Sequence, residues 1–573
     1  MSKITKDDIA GFECKHAIYV EHQGGEKKDL LVVKEIIHLK NGKCIPNLRK
    51  IENFERPYWV TKPAHQNHKD KKLFESRERV QEFKTTQINL KDHIARSTGR
   101  MAQHDLRVMA RNQYLYGADI TTPAIVKRMY KERYPEAHSL NSVAVLDLEA
   151  DVVYGTEQIL SGSLTFKDRA LLVVNQWFLG KYPNAIEAIQ KCFDDELGEH
   201  KEKRGITLTI KIVETPAQVA CELLRAAHEW SPDIVAIWNM AYDIPKMMDT
   251  MREEGIDPCD WFCDPSIPPQ YRNILWQPGQ AMKVTASGRK MPLSPAERWN
   301  VFEAPASFYF LDAMCVYQKI RVAKGKESYA LDAVLEKILG IRKLKFKEAD
   351  DFVGIGWHQF MQKNYKIQYL VYNLFDCISV ELLDEKTMDL CSTVSLLSNI
   401  SEYSKFPSQP RRTCDNLHYH ALENGHVIAT TSDKMEDELD ALVVDTKDWI
   451  VTLPAHQIIQ NGLCCLKEFP KLRTQIRLHV GDIDVAAAYP TGEDILNISH
   501  ETTWRELVKI EGVSDKARRR IGINLTGGPN NAVEICREVY KLPNFETFYD
   551  YVRTEYAAEI EAANSISTYR EAA

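Results

Sequence analysis

The sequence has no long apolar run. The longest, ALLVVNQWFLG, is broken by Asn175 and Gln176 and falls short of the roughly 20 apolar residues that cross a bilayer as a helix. No membrane association is therefore expected. The opening MSKITKDDIAGFECKH has no apolar core, so no secretory signal is expected. No internal repeat or low-complexity tract occurs, so a repeat architecture is not expected either. Positive charge is not in excess: the net is −7 over 573 residues. That balance argues against coating nucleic acid by bulk charge, while leaving room for a local basic groove. The 13 cysteines form no paired framework, as suits a reducing compartment. Cys259 and Cys263 in PCDWFCD lack a second ligand pair, and Cys414, His418 and His420 in CDNLHYH are no better arranged. Packing is the expected role of both groups, ahead of zinc.

What is present is an ordinary globular composition, 44% hydrophobic and 27% charged, in a chain long enough for two to four domains. Residues 1–60 alternate apolar and polar, as in DLLVVKEIIHL, with a turn at NGK, and read as a small β-rich unit. Residues 64–104 are polar and basic. A solvated helix or linker is the plainer expectation there, and a nucleic-acid contact the sharper one. From about residue 140 strands alternate with helices. SVAVLDLEAD, QILSGSLTF and RALLVVNQWF read as strands. Thr215 and Pro216 then open a helix, with Val219, Leu223, Ala226, Ala227 and Trp230 at helical spacing. DIVAIWN follows as a buried strand, which makes a mixed α/β architecture with a covered sheet.

Three acidic motifs lie in this middle region. In LDLEAD, Asp147 and Glu149 share one face of a strand, with Leu146 and Leu148 on the other. Two carboxylates side by side repel unless a cation lies between them, which suggests a hard metal ion. In IWNMAYD, a strand ends and Asp243 is expected to open the next helix, four residues after Asn239. In YLVYNLFDCISVELL, Ile367, Val371, Leu374, Ile378 and Leu382 form an apolar helical stripe, while Tyr372 and Asp376 share another face. Each motif alone also fits an ordinary polar surface.

Taken in order, Asp-x-Glu on a strand, Asn-x3-Asp at a strand end and Tyr-x3-Asp on a helix resemble the three motifs of the DEDDy 3′–5′ exonucleases. These are the proofreading domains of DNA polymerases. Asp312 in FYFLDAMCVY stands where family-B polymerases also carry a strand Asp, and ESYALDAVLEKILGIRKLKF resembles their segment leading into a basic loop. The resemblance implies that Asp147, Glu149, Asp243 and Asp376 hold two divalent ions, Mg2+ or Mn2+, for in-line displacement at phosphorus. It makes Tyr372 the residue that orients the attacking water and Asn239 a substrate contact. Asn239 stands one residue nearer Asp243 than in similar phage enzymes.

Near the other end, DVAAAYPT resembles the first polymerase motif of family B, and YSKFPSQPRRT and ILNISHETT resemble its flanks in T-even-type phage enzymes. Asp484 would be the metal-binding Asp, and Tyr489 the residue that excludes a ribonucleotide. Ala487, Ala488 and Thr491 depart from the usual Ser, Leu and Ser, and Asp482 shares the face of Asp484, as a structural residue or a support behind the metal ligand. No second catalytic carboxylate hairpin and no fingers helix follows 503. The resemblance is therefore to the N-terminal portion of a phage family-B polymerase, split or truncated.

The expected fold class is α/β: a ribonuclease H-like exonuclease domain with a β-rich N-terminal domain and a partial polymerase palm. The expected domains are 1–139 (N-terminal), 140–388 (exonuclease), 389–475 (a return segment of the N-terminal domain) and 476–573 (partial palm). The partners it implies are primer-template DNA, single-stranded 3′ ends and a second polymerase chain carrying fingers, thumb and the remaining palm. A sliding clamp would be a further one. The implied location is the cytoplasm of an infected bacterial host. Two alternatives stand beside this reading: a free-standing 3′–5′ exonuclease with a vestigial palm, and a non-catalytic nucleic-acid-binding assembly protein.

Overall fold

The computed structural model describes residues 5–434, apart from 70, 104, 281, 285–289, 293–299, 322–327 and 393–408, and two short strands beyond them. The chain divides into a unit of residues 1–432 and one of residues 433–573. In the second unit the described residues pair Gln457–Gln460 antiparallel with Leu463–Leu466.

The first unit opens with a three-stranded antiparallel sheet, β1 (Ile9–Glu21), β2 (Asp29–Leu39) and β3 (Cys44–Glu52), in that order. The alternation in DLLVVKEIIHL thus becomes a central strand, β2, buried along most of its length. A second small sheet joins β4 (Glu55–Thr61), β5 (Val80–Thr86) and β6 (Leu115–Tyr116). The polar stretch 64–104 is not the solvated helix or linker its composition suggests. It holds a strand, Phe74–Ser76, a 3-10 turn, Arg77–Arg79, then β5, and an α-helix, Leu90–Thr98. Several of its cations have protein partners: Lys71 donates to the Ala110 and Thr430 carbonyls, and Lys72 and Arg79 both pair with Glu75. Residues 409–432 return to this region. His426–Ile428 pairs antiparallel with Phe74–Ser76, and Val427 and Ala429 enter the core beside Trp59 and Tyr116.

The centre of the unit is a six-stranded mixed sheet: β7 (Val143–Ala150), β8 (Ile159–Phe166), β9 (Arg169–Asn175), β10 (Thr207–Val213), β11 (Ile234–Ile237) and β12 (Tyr309–Asp312). Its order is β10-β9-β8-β7-β11-β12. β8 runs antiparallel to both neighbours, and the remaining pairs are parallel. Helix α1 (Ala185–Arg204) and the long α6 (Lys366–Thr387) cover one face. Helices α2 (Pro216–Trp230) and α3 (Met240–Glu253) cover the other. Between them in sequence lie α4 (Leu331–Leu339) and α5 (Ile355–Asn364). The start of α2 is fixed locally, because Thr215 and Gln218 form a reciprocal capping box with Pro216 in the first turn.

Period-two alternation in β7 sends Ala144, Leu146 and Leu148 into the α2–α3 layer. Asp147 and Glu149 accordingly face α6. The close approach of the layers depends on Gly162, which pairs with Leu148. A Cβ there would come within 2.5 Å of Leu223 and 2.7 Å of Leu148, so β7 could not keep its place under a larger residue. Among the described residues no helix is long and apolar enough to cross a membrane.

Candidate metal centre

Helix α6 is buried on nearly every side, not along one stripe. Tyr372 and Asp376, which the sequence also allowed on a solvated face, are only 6% and 5% exposed. The helix repeat sets Tyr369, Asn373 and Asp376 along one line above β7. Asn373 donates through Nδ2 to Asp147 Oδ2 at 2.7 Å, and accepts on Oδ1 from the Ser163 hydroxyl at 2.5 Å. The Tyr369 hydroxyl donates to Glu149 Oε2. Carboxylate oxygens of Asp147, Glu149 and Asp376 lie within 4.8 Å of one another.

Asp243 does not open its helix as expected. Asn239 is the N-cap, and Asp243 lies inside the first turn of α3, 2% exposed. The helix starts early because the Asp243 backbone N–H already closes a turn onto the Asn239 carbonyl at 3.3 Å. The carboxylate thus lies in the positive end of the helix dipole. Asn239, Tyr242 and Asp243 line the same cavity as Asp147, Glu149, Tyr372 and Asp376. Its volume is about 330 Å³.

Burial and mutual repulsion dominate the electrostatics. Burial first, and then the charge of Asp376, push the Asp147 carboxyl up to about 7, against the pull of Lys343 and Asn373. Burial and then Asp147 push Glu149 up to about 8. Asp243 is raised well above the ordinary range by burial, then by Asp147 and Glu149. Asp376 is raised by burial, with Lys343 opposing. Lys343 Nζ donates to Asp376 Oδ2 at 2.5 Å and to the Tyr372 hydroxyl at 3.0 Å, above the Tyr372 ring. Burial pulls the Lys343 ammonium down, but Asp376 and Tyr372 outweigh it, so this group is charged at neutral pH. His358 is lowered to about 4 by burial and then by Lys343. It is therefore neutral, and its 3.8 Å approach to Glu149 is not an ion pair.

These residues fit a hard divalent cation. The donors are carboxylate oxygens, and Asp376 Oδ1 is buried with no hydrogen-bond partner. Their raised pKa values are what like charges show when no adequate counter-charge is present. The arrangement is that of an α/β domain with a buried acidic cluster of metal-ligand type, suited to metal-dependent chemistry of the kind nucleases perform.

Six of the eight singled-out residues meet here: Asn239, Asp147, Glu149, Asp243, Tyr372 and Asp376. Asp484 and Tyr489, with Asp482, lie outside the described residues. Asp312 does not join the cluster. It is fully buried, caps the following helix through Cys315 N at 2.9 Å, and accepts from Asn300 at 2.6 Å. Of the weak metal candidates, Cys263 is buried and free, and His418 lies 3.2 Å from Asp119. Sequence reasoning missed Lys343, Tyr369, Asn373 and His358. Tyr369 and Asn373 sit on the same quoted helix as Tyr372, and Lys343 lies in the basic stretch IRKLKF, so spacing could have raised these three. His358 carries no such signal.

Comparison with known proteins finds no matching family model and no matching curated protein.

Proposed function

We propose that this chain is a metal-dependent 3′–5′ exonuclease acting on DNA ends, the ribonuclease H-like exonuclease portion of a family-B-type polymerase. The observation that carries the proposal is the convergence of three separate sequence motifs on one cavity. Asp147 and Glu149, Asp243, and Tyr372 with Asp376 come from a strand and two helices, yet line a single space. The strand order, with an antiparallel β7-β8-β9 meander and β11 and β12 parallel on the far side of β7, supports the ribonuclease H-like reading.

Asp147, Glu149, Asp243 and Asp376 would hold the metal. When bound, divalent ions activate water and stabilise charge on the leaving oxygen in an in-line phosphoryl displacement. Four ionised carboxylates are only partly balanced by Lys343. Two divalent ions together with one phosphodiester would bring the set to neutrality, which favours two ions over one. The Tyr372 hydroxyl accepts from Lys343, which leaves its own proton free to orient a water. Tyr242, 45% exposed at the rim, offers a ring face on which a terminal base can stack.

The polymerase share rests on the resemblance of the segment containing Asp484 and Tyr489. On that reading, a second chain supplies the rest of the palm, with fingers and thumb.

The test is metal-dependent shortening of a 5′-labelled single-stranded DNA. The expected products are successive losses from the 3′ end, blocked by a 3′-terminal phosphorothioate and abolished in a folded D147A/E149A variant. Undiminished activity in that variant, or cleavage starting from the 5′ end, would overturn the reading.

A further inference from the structure

A second constellation lies on the N-terminal sheet, away from the carboxylate cavity. His38 on β2 stands directly opposite Cys44 on β3, and Glu13 on β1 points to the same face. His38 Nδ1 lies 3.6 Å from Cys44 Sγ. The other ring nitrogen, Nε2, lies 3.0 Å from Glu13 Oε2. Glu13 is itself clamped: Lys15 Nζ at 2.8 Å and the Ser139 backbone N–H at 3.2 Å donate to Oε1, and the Ser139 hydroxyl at 2.7 Å donates to Oε2. Burial raises the Glu13 carboxyl, but Lys15, Ser139 and His38 together hold it below its ordinary value, so it is ionised at neutral pH.

An ionised Glu13 accepts from His38 Nε2–H, and that fixes the tautomer. Nδ1 then carries the lone pair and faces the thiol. This is the order nucleophile, base, orienting carboxylate. The nucleophile is accessible: Cys44 is exposed, the first residue of β3 after the 40–43 turn. Charged groups nearby in the fold are Lys40 and Lys43 in the turn that precedes it and the Glu13–Lys15 pair on β1.

We propose that Cys44 is an activated thiol and a site of covalent modification, with His38 as its base, Glu13 as the positioning residue, and a peroxide as the oxidant. His38 takes the thiol proton. The sulfur attacks one peroxide oxygen, an S–O bond forms and the O–O bond breaks. The departing hydroxide recovers the proton from His38 and leaves as water. Sulfur loses two electrons, the peroxide gains them, and the product is a sulfenic acid.

The full-length chain tests this by peptide-resolved mass spectrometry of Cys44. At pH 7, iodoacetamide should label Cys44 at least about tenfold faster in the wild type than in H38N, a modest part of what a positioned base can supply. E13Q should fall between them. At pH 10 all three rates should converge, because hydroxide then replaces His38 as the base; a merely structural role would slow labelling at both values. Hydrogen peroxide followed by dimedone should mark Cys44 in the wild type and not in H38N. If E13Q fails to fold, the comparison of H38N with the wild type decides alone. Equal rates at pH 7 for the wild type and H38N, a deficit in H38N that persists at pH 10, or no dimedone adduct on wild-type Cys44 would overturn the proposal.

Discussion

Adding Mn2+ or Mg2+ to the metal-free chain should release protons, and the structure says which carboxyls give them up. With Glu149 pushed up to about 8 and Asp147 to about 7, the first is mostly protonated at pH 7 and the second about half so. Metal ligation requires both as carboxylates, so binding at pH 7 should expel about one and a half protons from this pair. By pH 9 both are already ionised and their share of the release should approach zero, leaving what Asp243, raised well above the ordinary range, still gives up. The assay is calorimetry in two buffers of different ionisation heat, which gives the proton count directly. Apparent affinity should climb between pH 6 and 8. Metal uptake without proton release at pH 7, or an affinity flat across that range, would refute the account of these carboxyls.

The same shifts fix a sign for stability. Asp147 and Glu149 have folded-state values above their ordinary 3.8 and 4.5. Their contribution is therefore fully present below about pH 4 and is lost as pH rises through 7 and 8. Thermal scans of the metal-free chain should show progressive destabilisation across that window. Added metal should stabilise most above pH 8 and least near pH 5.

Four further outcomes are expected. Tyr372→Phe should slow exonuclease turnover by about a hundredfold, the scale of one oriented donor, and leave calorimetric metal affinity unchanged. Asn373→Leu removes the amide that holds Asp147 and should weaken metal binding about 10–100-fold, read by the same calorimetry. Lys343→Met deletes the cation beside Asp376 and Tyr372, and single-turnover kinetics should show a loss of at least about tenfold. The chain alone should extend no primer, whereas mixing it with a chain bearing the missing palm and fingers should restore synthesis. Asp484→Ala should then remove synthesis and spare the exonuclease; extension by the purified chain alone would sink that expectation.

What was legible in the sequence was what is local. The period-two run VAVLDLEA is enough to put Asp147 and Glu149 on one face, and the Thr215–Gln218 pair is enough to start a helix. Burial was not legible, since it depends on what packs from elsewhere. The spacing of Tyr372 and Asp376 was clear, but α6 is enclosed because α1, α5 and the sheet meet it from several sides. The start of α3 was misread because Asp243 is itself a good N-cap residue, and only the bond from its N–H to Asn239 shows that the turn had already begun. Lys343 arrives from a loop after α4, 33 residues before Asp376, and its approach is a tertiary fact. In 64–104, composition pointed to solvent, but the strands at Phe74–Ser76 and β5 form by pairing with distant segments, Phe74–Ser76 with 426–428 and β5 with β4.

The pattern of donors around the cluster decides between a structural charge network and a cation site. A network that serves stability matches buried carboxylates with cations, because an unbalanced buried charge costs several kcal/mol. Here Asp147 is held by an amide and Glu149 by a phenol, both neutral donors that fix geometry without cancelling charge. Asp376 alone has an ammonium, on one oxygen, while its other oxygen has no partner. Asp243 adds a fourth carboxylate with only backbone support. Fixed orientation combined with uncancelled charge is the arrangement of ligands held ready for a metal by their outer-shell partners. It also explains why the cost in the metal-free chain is tolerated. Most of that cost is removed by protonation near neutral pH, and the rest disappears when divalent charge enters the cavity.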